Sequence, residues 1–213
     1  MIYSDELLFV HVPKTAGMTL TRIFVNNLKG DVFVTVPKGH ESGGGKATVI
    51  NGPRHATLNK ARIYFDSIGR ELGLFEIIIA VIRNPYDMEF SRFHYLRKQN
   101  NFDKGDSQDL AVKGDFEEFV RKSEWWFKDI SEYYTVDGEI PENMKILRFE
   151  SLASDFALHC RPYLDRDVGL LPVINKSDKS NHKMMLTEKI EGMIYDKYKW
   201  IFDSGFYVRR KDF

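Results

Sequence analysis

The residue types best suited to chemistry gather near the start of the chain, in the run His11-Val12-Pro13-Lys14-Thr15-Ala16-Gly17-Met18-Thr19-Leu20. Thr15 and Thr19 carry hydroxyl donors, Lys14 brings a cation beside them, and Gly17 lets the backbone come close to a partner. A strand before this run and a helix after it would turn successive backbone N–H groups toward one point, at the positive end of the helix dipole. That is chemistry for an anion, phosphate above all. The Walker order Gly-x-x-x-x-Gly-Lys-Ser/Thr is absent, because the lysine precedes the glycine. The competing reading is a plain strand-to-helix turn with a surface lysine; the Lys-Thr-x-Gly-x-Thr clustering argues for phosphate.

A second run, Arg83-Asn84-Pro85-Tyr86-Asp87-Met88-Glu89-Phe90-Ser91, follows the most apolar stretch of the chain. An arginine leaving a strand can fork onto a phosphate, and a serine two helical turns later can reach the same anion. Alone, such an arginine is often a salt-bridge residue; beside the first run it points to a second anion pocket. For a proton acceptor, Asn51-Gly52-Pro53-Arg54-His55-Ala56 offers His55, whose imidazole titrates near neutrality. His40 and Glu41 compete for that role from a glycine-rich stretch, where a mobile loop would hold a base poorly. A capping or surface histidine is the plainer reading of His55.

These groups need elements to hold them. Leu7 to Val12 is an apolar run of strand length ended by Pro13. Leu20, Ile23, Phe24 and Leu28 then share a helical face, with Gly30 as the stop. Val32–Val36 predicts a strand, 37–46 a loop, Ala47–Ile50 a short strand and Thr57–Gly69 a helix. Phe75–Ile82, β-branched and apolar almost throughout, predicts a central strand covered on both faces, and Pro85 suits the first turn of the next helix. Gln99–Asp115 predicts a polar loop, Phe116–Asp129 a helix and Lys145–Phe149 a strand. A helix after Glu150 and a last one from Thr187 to Phe202 complete the pattern. Strands alternating with helices predict one α/β domain spanning 1–213, a three-layer sandwich with a mainly parallel sheet of four or five strands.

The 213 residues carry 31 basic and 31 acidic side chains, so no net field steers the chain toward nucleic acid, and any anion site is local. The single cysteine, Cys160, excludes an internal disulfide framework and a cysteine-rich zinc site, and fits a reducing compartment. No ligand spacing suggests a metal, and no apolar run approaches the ~20 residues of a membrane span. The expectation is a cytoplasmic protein with no membrane segment. Trp125-Trp126-Phe127 and Tyr133-Tyr134 suggest either core aromatics or a stacking platform for sugars. Lys176, Lys179, His182 and Lys183 form either a closing segment or a solvated basic loop.

The first two runs resemble those of sulfotransferases that use 3′-phosphoadenosine 5′-phosphosulfate (PAPS), particularly the carbohydrate O-sulfotransferases of the heparan 2-O type. Two later segments are similar as well: Leu147-Arg148-Phe149-Glu150-Ser151-Leu152 and Val173-Ile174-Asn175-Lys176-Ser177. The resemblance implies a P-loop-NTPase-like sulfotransferase fold. It implies that Lys14, Thr15, Ala16, Gly17, Met18 and Thr19 bind the donor's 5′-phosphosulfate, and Arg83 and Ser91 its 3′-phosphate. It further implies catalytic roles for Lys14 and His55, 3′-phosphoadenosine 5′-phosphate (PAP) as product, no metal, and a hydroxyl acceptor on a glycan or small molecule. The rivals are a nucleotide kinase or ATPase, which would need magnesium ligands and a Walker lysine, and a nucleotide- or glycan-binding module without turnover.

Overall fold

A computed structural model describes residues 1–38, 45–98, 105–125, 127–169, 171 and 186–211. The chain packs as two compact units, Met1–Ile82 with Ser131–Ile174, and Arg83–Ile130 with Asn175–Phe213.

The first unit holds a six-stranded sheet: β1 (Ile2–Tyr3), β2 (Leu7–Val10), β3 (Phe33–Val36), β4 (Thr48–Asn51), β5 (Ile77–Ile82) and β6 (Met144–Arg148). The order is β4-β3-β1-β2-β5-β6, with β1 antiparallel to both neighbours and every other pairing parallel. The sheet is therefore α/β and mainly parallel, as expected. It has six strands where the sequence predicts four or five, because two-residue β1 is too short to show a period. All six residues of β5 are buried, and full burial of each isoleucine side chain contributes about 1.5–3 kcal/mol.

Helices flank both faces. On one, α1 (Gly17–Asn27) and α6 (Leu152–His159) set Leu20, Ile23, Phe24 and Phe156 against Leu7, Phe9, Ile77, Ile79 and Val81. On the other, α2 (Leu58–Ser67) brings Phe65 within 4.9 Å of the rings of both Tyr3 and Phe75. Tyr133 and Tyr134 are fully buried, and Tyr134 donates to the Val81 carbonyl at 3.1 Å. They are core, not a sugar platform.

The second unit is helical: α3 (Pro85–Leu96), α4 (Asp106–Lys113), α5 (Phe116–Lys122), α7 (Glu188–Lys197) and α8 (Lys199–Asp203). Its apolar centre includes Phe90 stacked on Phe116 at 4.3 Å, with Phe93 and Phe119 beside them. Helix α4 replaces part of the expected loop at 99–115. Asp106 and Asp109 stand in its first turn, Lys113 in its last, and Gly114 ends it with φ 87°, an arrangement matched to the helix dipole. Helix α5 stops seven residues before the predicted Asp129, since Lys197 Nζ takes the end carbonyls of Val120 (2.9 Å) and Ser123 (3.2 Å). The last predicted helix breaks at Tyr198, a buried residue whose hydroxyl donates to Glu89 at 2.6 Å. Trp125 donates its Nε1 to that hydroxyl and to Glu89, and stacks on Phe127, so structural contacts occupy it. Among the described residues no helix is long and apolar enough to cross a membrane.

Candidate functional site

Strand β2 delivers the chain to Val10, and His11–Ala16 turn it into α1. The turn alternates in hand. Lys14 has φ 62° and Ala16 φ 66°, with Thr15 between them on the ordinary negative side and Gly17 starting the helix. Left-handed backbone costs an L-residue about 1–2 kcal/mol, so two such residues within three positions are a strained loop of the kind that concentrates at ligand clamps. Alternation of hand also makes successive N–H groups converge into an anion-binding concavity. Ala16 caps α1 with no side-chain hydrogen bond, and since the Thr19 amide already donates to the Ala16 carbonyl at 2.9 Å, the Gly17 and Met18 amides are the ones a ligand could take. Thr15, almost fully buried, donates its hydroxyl to the Val12 carbonyl at 2.9 Å. That hydroxyl braces the loop. Lys14 is half-buried, Met18 is exposed, and Thr19 is buried in the first turn.

Gly17 serves a purpose the sequence does not reveal. A Cβ there would stand 1.8 Å from Nε2 of His11 and 1.9 Å from its Cδ2. The missing side chain thus makes room for a buried imidazole.

His11 in turn holds His55. Nδ1 of His55 lies 2.9 Å from the His11 carbonyl oxygen, and the two rings meet edge to face at 4.3 Å. A carbonyl only accepts, so Nδ1 carries the proton and the neutral ring keeps its lone pair on Nε2. Burial holds the His55 imidazole below its ordinary value of 6.5, the charges of Met1 and Arg54 lowering it further against the opposing hydrogen bond. Burial pushes His11 lower still, helped by His55, the Met1 amino group and Arg54. Both rings are therefore neutral at pH 7. His55 does not cap α2; Thr57 does, its hydroxyl accepting from the Lys60 amide. Tyr133 donates to the His55 carbonyl at 3.3 Å and steadies that turn.

The second motif lies in the helical unit. Arg83 follows the last residue of β5 and is buried. Asn84 caps α3, accepting from the Tyr86 amide at 3.0 Å, with Pro85 in the first turn. Ser91 is half-buried and shares a helical face with Asn84 and Asp87. Asp87 therefore puts a carboxylate one turn from the serine assigned to a phosphate. The Arg148 to Leu152 segment runs from the end of β6 through a single 3₁₀ turn into α6, where Asp155 accepts from the Arg148 amide and the Ser151 hydroxyl. His40, Glu41, Trp126 and residues 173–183 lie outside the described residues.

Two cavities adjoin α1. One, about 480 Å³, is lined by His11, Met18, Arg22 and Arg54 among others; the second, about 740 Å³, runs past Thr19 and Arg166. Neither is visible in the sequence, since their walls come from segments distant along the chain. Among the described residues no group of His, Cys, Asp or Glu gathers as metal ligands. Cys160 is buried, its thiol pushed up to about 12, and offers no nucleophile at neutral pH. No family model, curated protein or solved structure matches the chain.

Proposed function

We propose that this chain is a PAPS-dependent sulfotransferase, built on the P-loop-like sulfotransferase arrangement, that moves a sulfuryl group onto a hydroxyl acceptor. One observation carries the reading. A strained turn of alternating hand, Lys14 to Gly17, opens an uncapped helix and is joined through His11 to a neutral histidine whose tautomer is fixed. A turn of this hand at a helix start, with a lysine in it, suits a phosphosulfate, which calls for N–H donors and a cation.

The donor supplies the sulfuryl group and, as leaving group, its 5′-phosphate. As the acceptor oxygen bonds to sulfur, the acceptor's proton passes to Nε2 of His55, and the sulfur–oxygen bond to the 5′-phosphate breaks. Lys14 and the loop amides stabilise the charge that grows on that departing oxygen, the usual source of the largest rate gain. His55 suits a base because burial keeps it unprotonated before the step. The resemblance gives Arg83 and Ser91 the 3′-phosphate, which distinguishes PAPS from ATP.

The test is PAP release from PAPS in the presence of hydroxyl acceptors, for wild type and His55→Ala. The variant should bind PAP as wild type does and lose transfer by ~10²–10⁴-fold. Full activity in the variant refutes the assignment of the base, and absence of transfer from the wild type with every acceptor refutes the reading.

A further inference from the structure

The cavity of about 480 Å³ lies between α1, β3 and the turn that carries His55. Its size is that of a pocket for a small organic molecule. Met18, Val25 and Val36 give it apolar walls, while Arg22 and Arg54 bring two guanidinium groups. Among the described residues, no Asp or Glu lines it, and neither arginine has a carboxylate within ion-pair distance. Two arginines at a cavity of mixed apolar and polar lining, Thr21, Asn26 and Thr35 included, with no carboxylate among the described walls, suit an anionic ligand with an apolar body. His11 lines the same cavity, and its carbonyl is the group that holds His55. Met18, in the first turn of α1, ties the cavity to the amide-presenting end of that helix.

We propose that this cavity is the acceptor pocket, and that the acceptor is a compact hydroxy acid whose carboxylate is held by Arg22 and Arg54, not a polysaccharide. This rests on the sulfotransferase reading. His55 is not itself a wall of the cavity, so the acceptor reaches past His11: its hydroxyl gives up its proton to His55 as its oxygen forms the bond to sulfur, and PAP leaves with the electrons of the broken sulfur–oxygen bond. Arg22 also borders the second cavity, whereas Arg54 lines only this one of the two, so Arg54 is the discriminating position.

Isothermal titration of the full chain, saturated with PAP, should use para-hydroxyphenylacetate and omega-hydroxydodecanoate, each against its methyl ester. At least one acid should bind about tenfold or more tightly than its ester, the worth of one charge-assisted contact. Arg54→Gln should erase that preference and leave PAP binding within about threefold. Arg22→Gln should reduce it, and PAPS should convert the preferred acid to its sulfate ester. Acids and esters binding alike, or a preference that survives Arg54→Gln, would overturn the pocket assignment. A charge preference with no sulfated product would overturn the acceptor role. If PAP itself fails to bind, the donor reading has failed, and the acceptor proposal falls with it.

Discussion

Replacing Gly17 by alanine tests the packing that joins the Lys14–Gly17 turn to the histidine pair. The added Cβ would lie 1.8 Å from Nε2 of His11 and 2.8 Å from its Cε1, far inside the ~3.5–4.0 Å of a normal carbon contact. His11 cannot swing aside cheaply: it is 4% exposed, stacked against Phe9 at 5.9 Å and edge to face with His55 at 4.3 Å. Overpacking of this kind costs about 1–3 kcal/mol. In a chain of this size each kcal/mol lowers the melting temperature by about 2–4 °C. Denaturant unfolding of wild type, Gly17→Ala, His11→Ala and the double variant closes a cycle. Gly17→Ala should be destabilising in the wild-type background and nearly neutral where His11 has already been truncated, a coupling of about 1–3 kcal/mol. A cost below ~0.5 kcal/mol, or the same cost in both backgrounds, refutes the argument that His11 is what the glycine accommodates.

Lys14→Ala should lower sulfuryl transfer about a hundredfold or more while leaving the unfolding midpoint nearly unchanged, because the side chain acts on transition-state charge; transfer within a few-fold of wild type would contradict that role. Arg83→Ala and Ser91→Ala should each weaken PAP by about 1.5–3 kcal/mol and leave adenosine 5′-phosphosulfate nearly unaffected; equal losses for both ligands would place the residues elsewhere. Stability should fall as pH is lowered from 7.5 to 5. The unfolded His11 binds a proton near 6.5 while the buried ring does so only well below that, so the unfolded state takes up more protons in this window. Its contribution is present above pH 6.5 and lost beneath it; His11→Asn should flatten the profile, and an unchanged slope would contradict the assignment.

The parts of the fold that bury apolar surface in a regular pattern were legible from residues alone. Strand β5 stands out as a continuous apolar run, and α1 shows its stripe of Leu20, Ile23 and Phe24. Two-residue β1 offers no period, and α4 buries only Ala111, so its polar sequence reads as a loop. Helices were predicted too long where buried polar groups cut them short: Lys197 takes the carbonyls at the end of α5, and Tyr198 is pinned by Glu89. At the candidate site, residue types single out the loop and His55 but not the contacts that join them. Left-handed backbone at Lys14 and Ala16 has no signature in residues that normally avoid it. The role of His11 passes partly through its main-chain oxygen, which every residue possesses. Its one signal was a histidine leaving a buried strand just before the loop.

Titration of the full chain with PAP, with 5′-AMP and with ATP plus magnesium addresses the central claim most directly, since no acceptor has to be known. The sulfotransferase account predicts that PAP binds at least tenfold more tightly than 5′-AMP, as one charge-assisted phosphate contact requires. It also predicts that Arg83→Ala removes this preference and that ATP with magnesium gains nothing from the metal. Equal affinity for PAP and 5′-AMP, or a preference for ATP that depends on magnesium, would contradict it.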